Sequence, residues 1–241
     1  MEEKQLQDLR ALLDGHEVFV VMDGPAGSGK STVARATAKS LGALYLDTGA
    51  MYRAATVRLQ ELGIDLDNRK ACAQAVSKMV FDPATNPDSG AVFVDGKDVQ
   101  HLIRTPEVSE VVSKVATNLE IRATMVKQQR RILLDAVKEG RIIVSEGRDQ
   151  TTVVAPDAPV RILITASPEV RMRRRGLDLG GEITKDKLAD QVLRRDRDDL
   201  TVANFETPTE GVELVDTTDI GINEAIDTVL TIIARKFTPV G

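Results

Sequence analysis

The sequence predicts an α/β fold: a doubly wound, five-stranded parallel sheet that carries an inserted subdomain and an arginine-rich helical lid. Three observations predict it. Five short runs of strand length, at residues 18–22, 43–46, 142–145, 160–165 and 212–215, recur along the chain. Most are apolar without a break, as strands covered on both faces must be. Stretches with helical spacing separate them, and a glycine-rich loop joins the first run to the helix after it. In such sheets ligands collect at the strand C-termini.

A length of 241 residues fits one α/β core with an insert better than two independent domains. The 42% hydrophobic and 29% charged fractions are ordinary for a soluble enzyme, and no run approaches the roughly 20 apolar residues that span a bilayer. Residues 1–13 are charged throughout and lack an apolar stretch followed by a small-residue cleavage site. No membrane partner and a cytoplasmic location are therefore expected. A net charge of −5 with 3% aromatics lacks the basic surface and stacking platforms of a nucleic-acid binder, so the partner is expected to be small. Cys72 stands alone, which excludes an intrachain disulfide and points to plain packing. His16 and His101 lie far apart in sequence, against a histidine metal site or a Ser/His relay.

In order along the chain, residues 2–13 form a polar helical lead-in, and the first strand ends at Asp23. The glycine loop follows, and helical spacing resumes over 30–41 until Gly42 stops it. After the second strand, Asp47-Thr48 caps a helix over 49–62 that Gly63 closes. From 65 to 115 the pattern changes, because Asp82-Pro83 and Asn86-Pro87-Asp88-Ser89-Gly90 break the chain around a strand at 91–94 and the turn Asp95-Gly96. A long helix over 119–138 delivers the chain to the third core strand, and Pro168 after the fourth suits a first helical position. The arginine-rich stretch 171–199, interrupted by Gly176, Gly180 and Gly181, reads as a lid. The fifth strand leads to a terminal amphipathic helix over 223–236. This divides the chain into core 1–64, insert 65–115, core 116–170, lid 171–207 and core 208–241.

The chemistry begins in the glycine loop. Gly24-Pro25-Ala26-Gly27-Ser28-Gly29-Lys30-Ser31 satisfies the P-loop pattern of Gly, four residues, then Gly-Lys-Ser, between a strand and a helix as the mechanism requires. A loop wrapped around phosphate points successive backbone N–H groups inward, and the following helix adds its positive dipole end. Residues 24–32, Thr32 included, are the expected ATP site. Lys30 would neutralise the β- and γ-phosphates, and Ser31 would ligate Mg²⁺.

A P-loop does not choose between hydrolysis and transfer. The P-loop, Leu46-Asp47-Thr48-Gly49-Ala50-Met51-Tyr52-Arg53, Glu146-Gly147-Arg148-Asp149 and Ala155-Pro156-Asp157-Ala158 together closely resemble the bacterial cytidylate (CMP) kinases, P-loop NTPases of the nucleoside monophosphate kinase superfamily. The similarity runs in order over nearly the whole chain. It implies transfer of the γ-phosphoryl group of ATP to CMP or dCMP, by a monomer, with residues 65–115 as the acceptor-binding subdomain. By the same resemblance Thr48 and Tyr52 line the monophosphate pocket, Arg53 and Arg148 hold the acceptor phosphate, and Asp149 takes the cytosine amino group. Ser113 and Arg122 match base contacts, and Asp199 falls to the ribose hydroxyls. A planar guanidinium offers phosphate two parallel hydrogen bonds, and a carboxylate separates an amino donor from the carbonyl that uracil presents there.

The lid departs from the family pattern. Arg195-Asp196-Arg197-Asp198-Asp199 begins it, and Arg195 is the expected catalytic arginine, but the usual later arginine aligns with Val202. Thr151 stands where the family usually has glycine, a side chain expected to crowd the acceptor pocket, and the Pro-Leu after the lid survives only as Thr207-Pro208. These departures leave two alternatives open: a kinase for another small acceptor, and a nucleotide-binding module that no longer catalyses.

Overall fold

The computed structural model describes residues 1–178, 194 and 196–239. Helix α1 (Glu3–Leu13) leads into β1 (Phe19–Asp23), the glycine loop and α2 (Lys30–Leu41). Next come β2 (Leu44–Asp47) and α3 (Thr48–Glu61), whose start is fixed by the Asp47 carboxylate accepting from the Ala50 N–H at 2.9 Å. The segment after α3 holds α4 (Arg69–Val76), the short strands β3 (Phe81–Pro83), β4 (Val92–Val94) and β5 (Lys97–Asp98), and α5 (Pro106–Ala116). Then α6 (Leu119–Lys138), capped by the Asn118 side chain, runs to β6 (Ile143–Gly147). A π-helical turn (Gln150–Val154), β7 (Val160–Thr165), α7 (Pro168–Asp178), β8 (Glu213–Asp216) and a terminal helix (Ile222–Phe237) complete the described elements.

Five strands form one parallel sheet in the order β2-β6-β1-β7-β8, and β3-β4-β5 form a separate antiparallel sheet. Alternate side chains of the core strands serve opposite layers. Phe19 and Val21 pack with α3, α4, α5 and α6 on one face. Val20 and Met22 pack with α1, α2 and the terminal helix on the other. The chain leaves β1 for β2 on one side of it and later reaches β7 on the other, which opens a crevice at the C-terminal ends of β1 and β6.

The α/β fold and its five parallel strands match the sequence expectation, with two informative differences. Strand β6 runs two residues beyond its apolar core because Glu146 and Gly147 stay in register with Met22 and Asp23. The break at Asp82-Pro83 is the end of an edge strand, where the missing N–H of Pro83 costs no ladder bond. Cys72 is buried in the core with its thiol pushed up by burial, and His16 packs edge-on against Phe237. Among the described residues no helix is long and apolar enough to cross a membrane.

Candidate active site

The glycine loop occupies the crevice because β1 stops at Asp23 and α2 starts at Lys30, with Gly29 in the left-handed region (φ 89°) as its cap. The first turn of α2 therefore sends its positive dipole end into the opening. Gly27 cannot be replaced: its φ is 77° and a Cβ would lie 2.5 Å from the Arg171 carbonyl oxygen. A cleft of about 450 Å³ lies above this loop. Its donor wall is Pro25, Ala26, Gly27, Gly29, Lys30, Ser31 and Thr32, while Gly24 and Ser28 are buried behind the loop.

The opposite wall comes from separate elements. Helix α3 contributes Thr48, Tyr52 and Arg53, α5 contributes Ser109 and Val112, α6 contributes Arg122, and the end of β6 contributes Glu146, Gly147, Arg148 and Asp149. Asp199 and Ala203 close it from above. Ser113 is not brought here; it lines a neighbouring shallow groove with Asp67, Lys114 and Thr201. Helix α5 turns Ser109, Val112 and Ala116 toward the cleft, and Ser113 faces the groove with Lys114. Arg195 lies outside the described residues.

Glu146 organises the donor wall. It is 3% exposed, accepts from the Ser31 hydroxyl at 2.7 Å and from the Tyr45 hydroxyl at 3.3 Å, and stands 3.4 Å from the Lys30 ammonium. A carboxylate and a hydroxyl side by side are two hard oxygen donors, the chemistry a Mg²⁺ ion takes. Across the cleft Arg53 is 8% exposed, and its Nη1 donates to the Ile103 carbonyl and the Ser109 hydroxyl, each at 2.9 Å. Arg122 forms an ion pair with Asp149, a carboxyl that burial pushes above its ordinary range while the guanidinium opposes the rise. Burial also raises the Tyr52 phenol. Gly147 is needed for close approach, since a Cβ would fall 2.5 Å from the Thr48 hydroxyl, which donates to the Glu146 carbonyl at 2.8 Å.

A carboxylate from the segment 196–200 sits where an anion belongs. Asp196 lies 2.7 Å from Arg148 and 2.6 Å from Arg171, and accepts from the Ala26 N–H at 3.3 Å. Arg148 also meets Asp199 at 2.9 Å and lies over the Phe205 ring at 4.8 Å. Two guanidinium groups and a loop amide are a donor set suited to phosphate. Val202 stays out of the cleft wall; among the described residues Arg148, Arg171 and Arg174 bring guanidinium groups beside the loop, Arg174 donating to the Ser28 carbonyl at 3.4 Å.

The expectation that Thr151 crowds the acceptor pocket is corrected. Its side chain is 3% exposed and turns away from the cleft, donating to Asp23 at 2.6 Å. Asp23, wholly buried at the end of β1, also accepts from the backbone N–H groups of Gln150 (2.9 Å) and Thr151 (2.7 Å). Burial raises its carboxyl to about 6, the Thr151 hydroxyl opposes the rise, and the charge of Asp149 adds to it.

Glu146, Arg171, Asp23 and Ser109 carry no role in the sequence reading. Glu146 has a detectable signal, a charged residue closing an apolar strand at the sheet edge that bears the loop. Arg171 has none, because its partner Asp196 is distant in sequence.

The family model described as cytidylate kinase matches residues 20–235. Among curated relatives, the cytidylate kinase of Cutibacterium acnes is 41% identical over 217 residues, covering 90% of this chain and 96% of its own. That of Carboxydothermus hydrogenoformans is 40% identical, covering 90% and 97%. That of Rhodococcus opacus is 42% identical, covering 91% and 96%. With the match extending from β1 into the terminal helix, the chain belongs to the cytidylate kinase family.

Proposed function

We propose that this protein transfers the γ-phosphoryl group of ATP to CMP or dCMP, giving ADP and the cytidine diphosphate by direct in-line transfer. The observation that carries the reading is one cleft with a phosphate-binding loop on one wall and the buried Arg122–Asp149 pair on the other. That pair presents a hydrogen-bond acceptor beside a cationic donor. Cytosine offers the complement, an amino donor beside a ring-nitrogen acceptor, and uracil reverses both.

Residues 24–32 hold the triphosphate, with Lys30 on the β- and γ-phosphates. Ser31 and Glu146 would hold Mg²⁺, which supplies charge neutralisation at the phosphate oxygens. Arg53 and Arg148 fix the acceptor phosphate, Thr48 and Tyr52 line its pocket, and Asp199 serves the ribose. Ser113 is assigned to the base on resemblance alone, and Arg171 joins Arg195 as a candidate for the transferring phosphoryl group. No general base is needed, because the acceptor is already an anionic phosphate oxygen. Catalysis is positioning and charge stabilisation. Residues 65–115 act as the acceptor-binding subdomain and 171–207 as a lid that excludes water. The protein works as a cytoplasmic monomer without a nucleic-acid or membrane partner.

A coupled ADP-release assay with ATP and Mg²⁺ across nucleoside monophosphates tests the reading. CMP and dCMP should saturate and be preferred over UMP by at least about tenfold. Saturation by a different monophosphate with none by CMP would transfer the function to another acceptor.

A further inference from the structure

The residue that differs from the family pattern at 151 is joined to the residue before the glycine loop, and this junction links the two walls of the cleft. Asp23 ends β1, in register with Gly147 of β6, and its next neighbour opens the loop. The π-helical turn that carries Gln150 and Thr151 starts directly after Arg148 and Asp149. Its widened geometry is set by the Val154 N–H reaching back to the Asp149 carbonyl at 3.0 Å.

Three neutral donors converge on the Asp23 carboxylate: the amides of Gln150 and Thr151 and the Thr151 hydroxyl. A carboxylate buried with no paired cation among the described residues is costly, and burial is what raises its pKa. An apolar side chain in the same space would leave both amides and the hydroxyl without their acceptor, so the carboxylate matters for what it holds. What it holds is the turn behind the acceptor-reading residues. Gln150 carries the link onward, its Oε1 accepting from the Ser145 hydroxyl at 2.9 Å and its Nε2 facing Gln129 at 3.1 Å and Asp149 at 3.4 Å.

We propose that Asp23 and Thr151 form a positioning pair that clamps the turn directly following Arg148 and Asp149 to the base of the glycine loop, so setting acceptor base and phosphate against the donor. The inference rests on the kinase reading above. Thr151 touches no substrate; it acts through Asp149 and Arg148. Of the three donors its hydroxyl alone belongs to a side chain, which makes it the one a substitution removes cleanly.

The test compares wild type with Thr151→Val, Thr151→Ser and Thr151→Gly, using calorimetric titration of CMP and of ATP with Mg²⁺, and steady-state kinetics with CMP and UMP. One hydrogen bond to a charged group predicts that Thr151→Val weakens CMP affinity about tenfold, with a matching loss of CMP-over-UMP preference. ATP affinity should stay within about twofold of wild type, and Thr151→Ser should behave as wild type. Thr151→Gly, which leaves the backbone free, should show the same loss as valine and serves if valine does not fold. A valine or glycine variant with wild-type CMP affinity and selectivity, changed only in melting temperature, overturns the proposal and leaves the kinase reading intact. Wild type that binds no CMP overturns both.

Discussion

The two walls of the cleft are built on different principles. The donor wall comes from one stretch of chain, within residues 24–32, made mostly of backbone at a helix start, with Lys30 as its charge, 3.4 Å from Glu146. The acceptor wall is gathered from α3, α5, α6 and the end of β6, and its charges are buried and paired before any ligand arrives. A triphosphate tail presents the same oxygens whatever base it carries, so backbone amides suffice to bind it. A base must be told from its neighbours, which takes oriented side chains with few alternative positions. The donor wall should therefore fail in rate when its lysine goes, and the acceptor wall should fail in selectivity or stability.

Lys30→Ala should have the largest effect, lowering kcat by about 100-fold while melting temperature changes little. Steady-state kinetics beside a thermal melt checks it, and wild-type turnover would remove the loop from the mechanism. Asp149→Asn should cut the ratio of kcat/KM for CMP over UMP about tenfold. Since it also leaves Arg122 buried without its counter-charge, the ratio rather than the absolute rate is the informative number. Gly147→Ala pushes a methyl against the Thr48 hydroxyl and Gln150. Overpacking of about 1–3 kcal/mol should lower the melting temperature by roughly 2–10 °C and raise KM for CMP more than for ATP. A melt identical to wild type would show that the acceptor wall gives way freely.

A further effect concerns pH. The folded chain holds a proton on Asp23 up to about 6, whereas an unfolded aspartate loses it near about 3.9. Between those values the folded form binds more protons, so this contribution to stability is complete below about pH 4 and is lost as pH rises through about 6. Replacing Asp23 with Asn should flatten that part of the melting temperature–pH curve, and an unaltered slope would assign it to other groups.

The donor wall was readable in the sequence because its parts are adjacent: strand, glycines, Lys30 and helix follow one another. Most acceptor residues were placed only through family resemblance, since nothing local says that Arg53, Arg122 and Asp149 meet. Glu146 belongs to a motif that the sequence shows, but its pairing with Ser31 is not legible there, because it joins the first turn of α2 to the end of β6. Thr151 shows the opposite failure. Read against a glycine it looked like an obstruction, and only the path of the π-helical turn reveals that it points inward to Asp23. The Pro and Gly breaks of residues 65–115 mask helices α4 and α5 in the sequence, although Thr105 and Pro106 form a regular helix start.

The central claim is that donor and acceptor meet in one cleft at transfer distance. Calorimetry with adenosine and cytidine joined through a pentaphosphate chain tests it most directly. One molecule should bind per chain, at least about 100-fold more tightly than CMP alone, with ATP and CMP each displacing it. Binding no tighter than either nucleotide, or displacement by only one of them, would contradict a shared cleft.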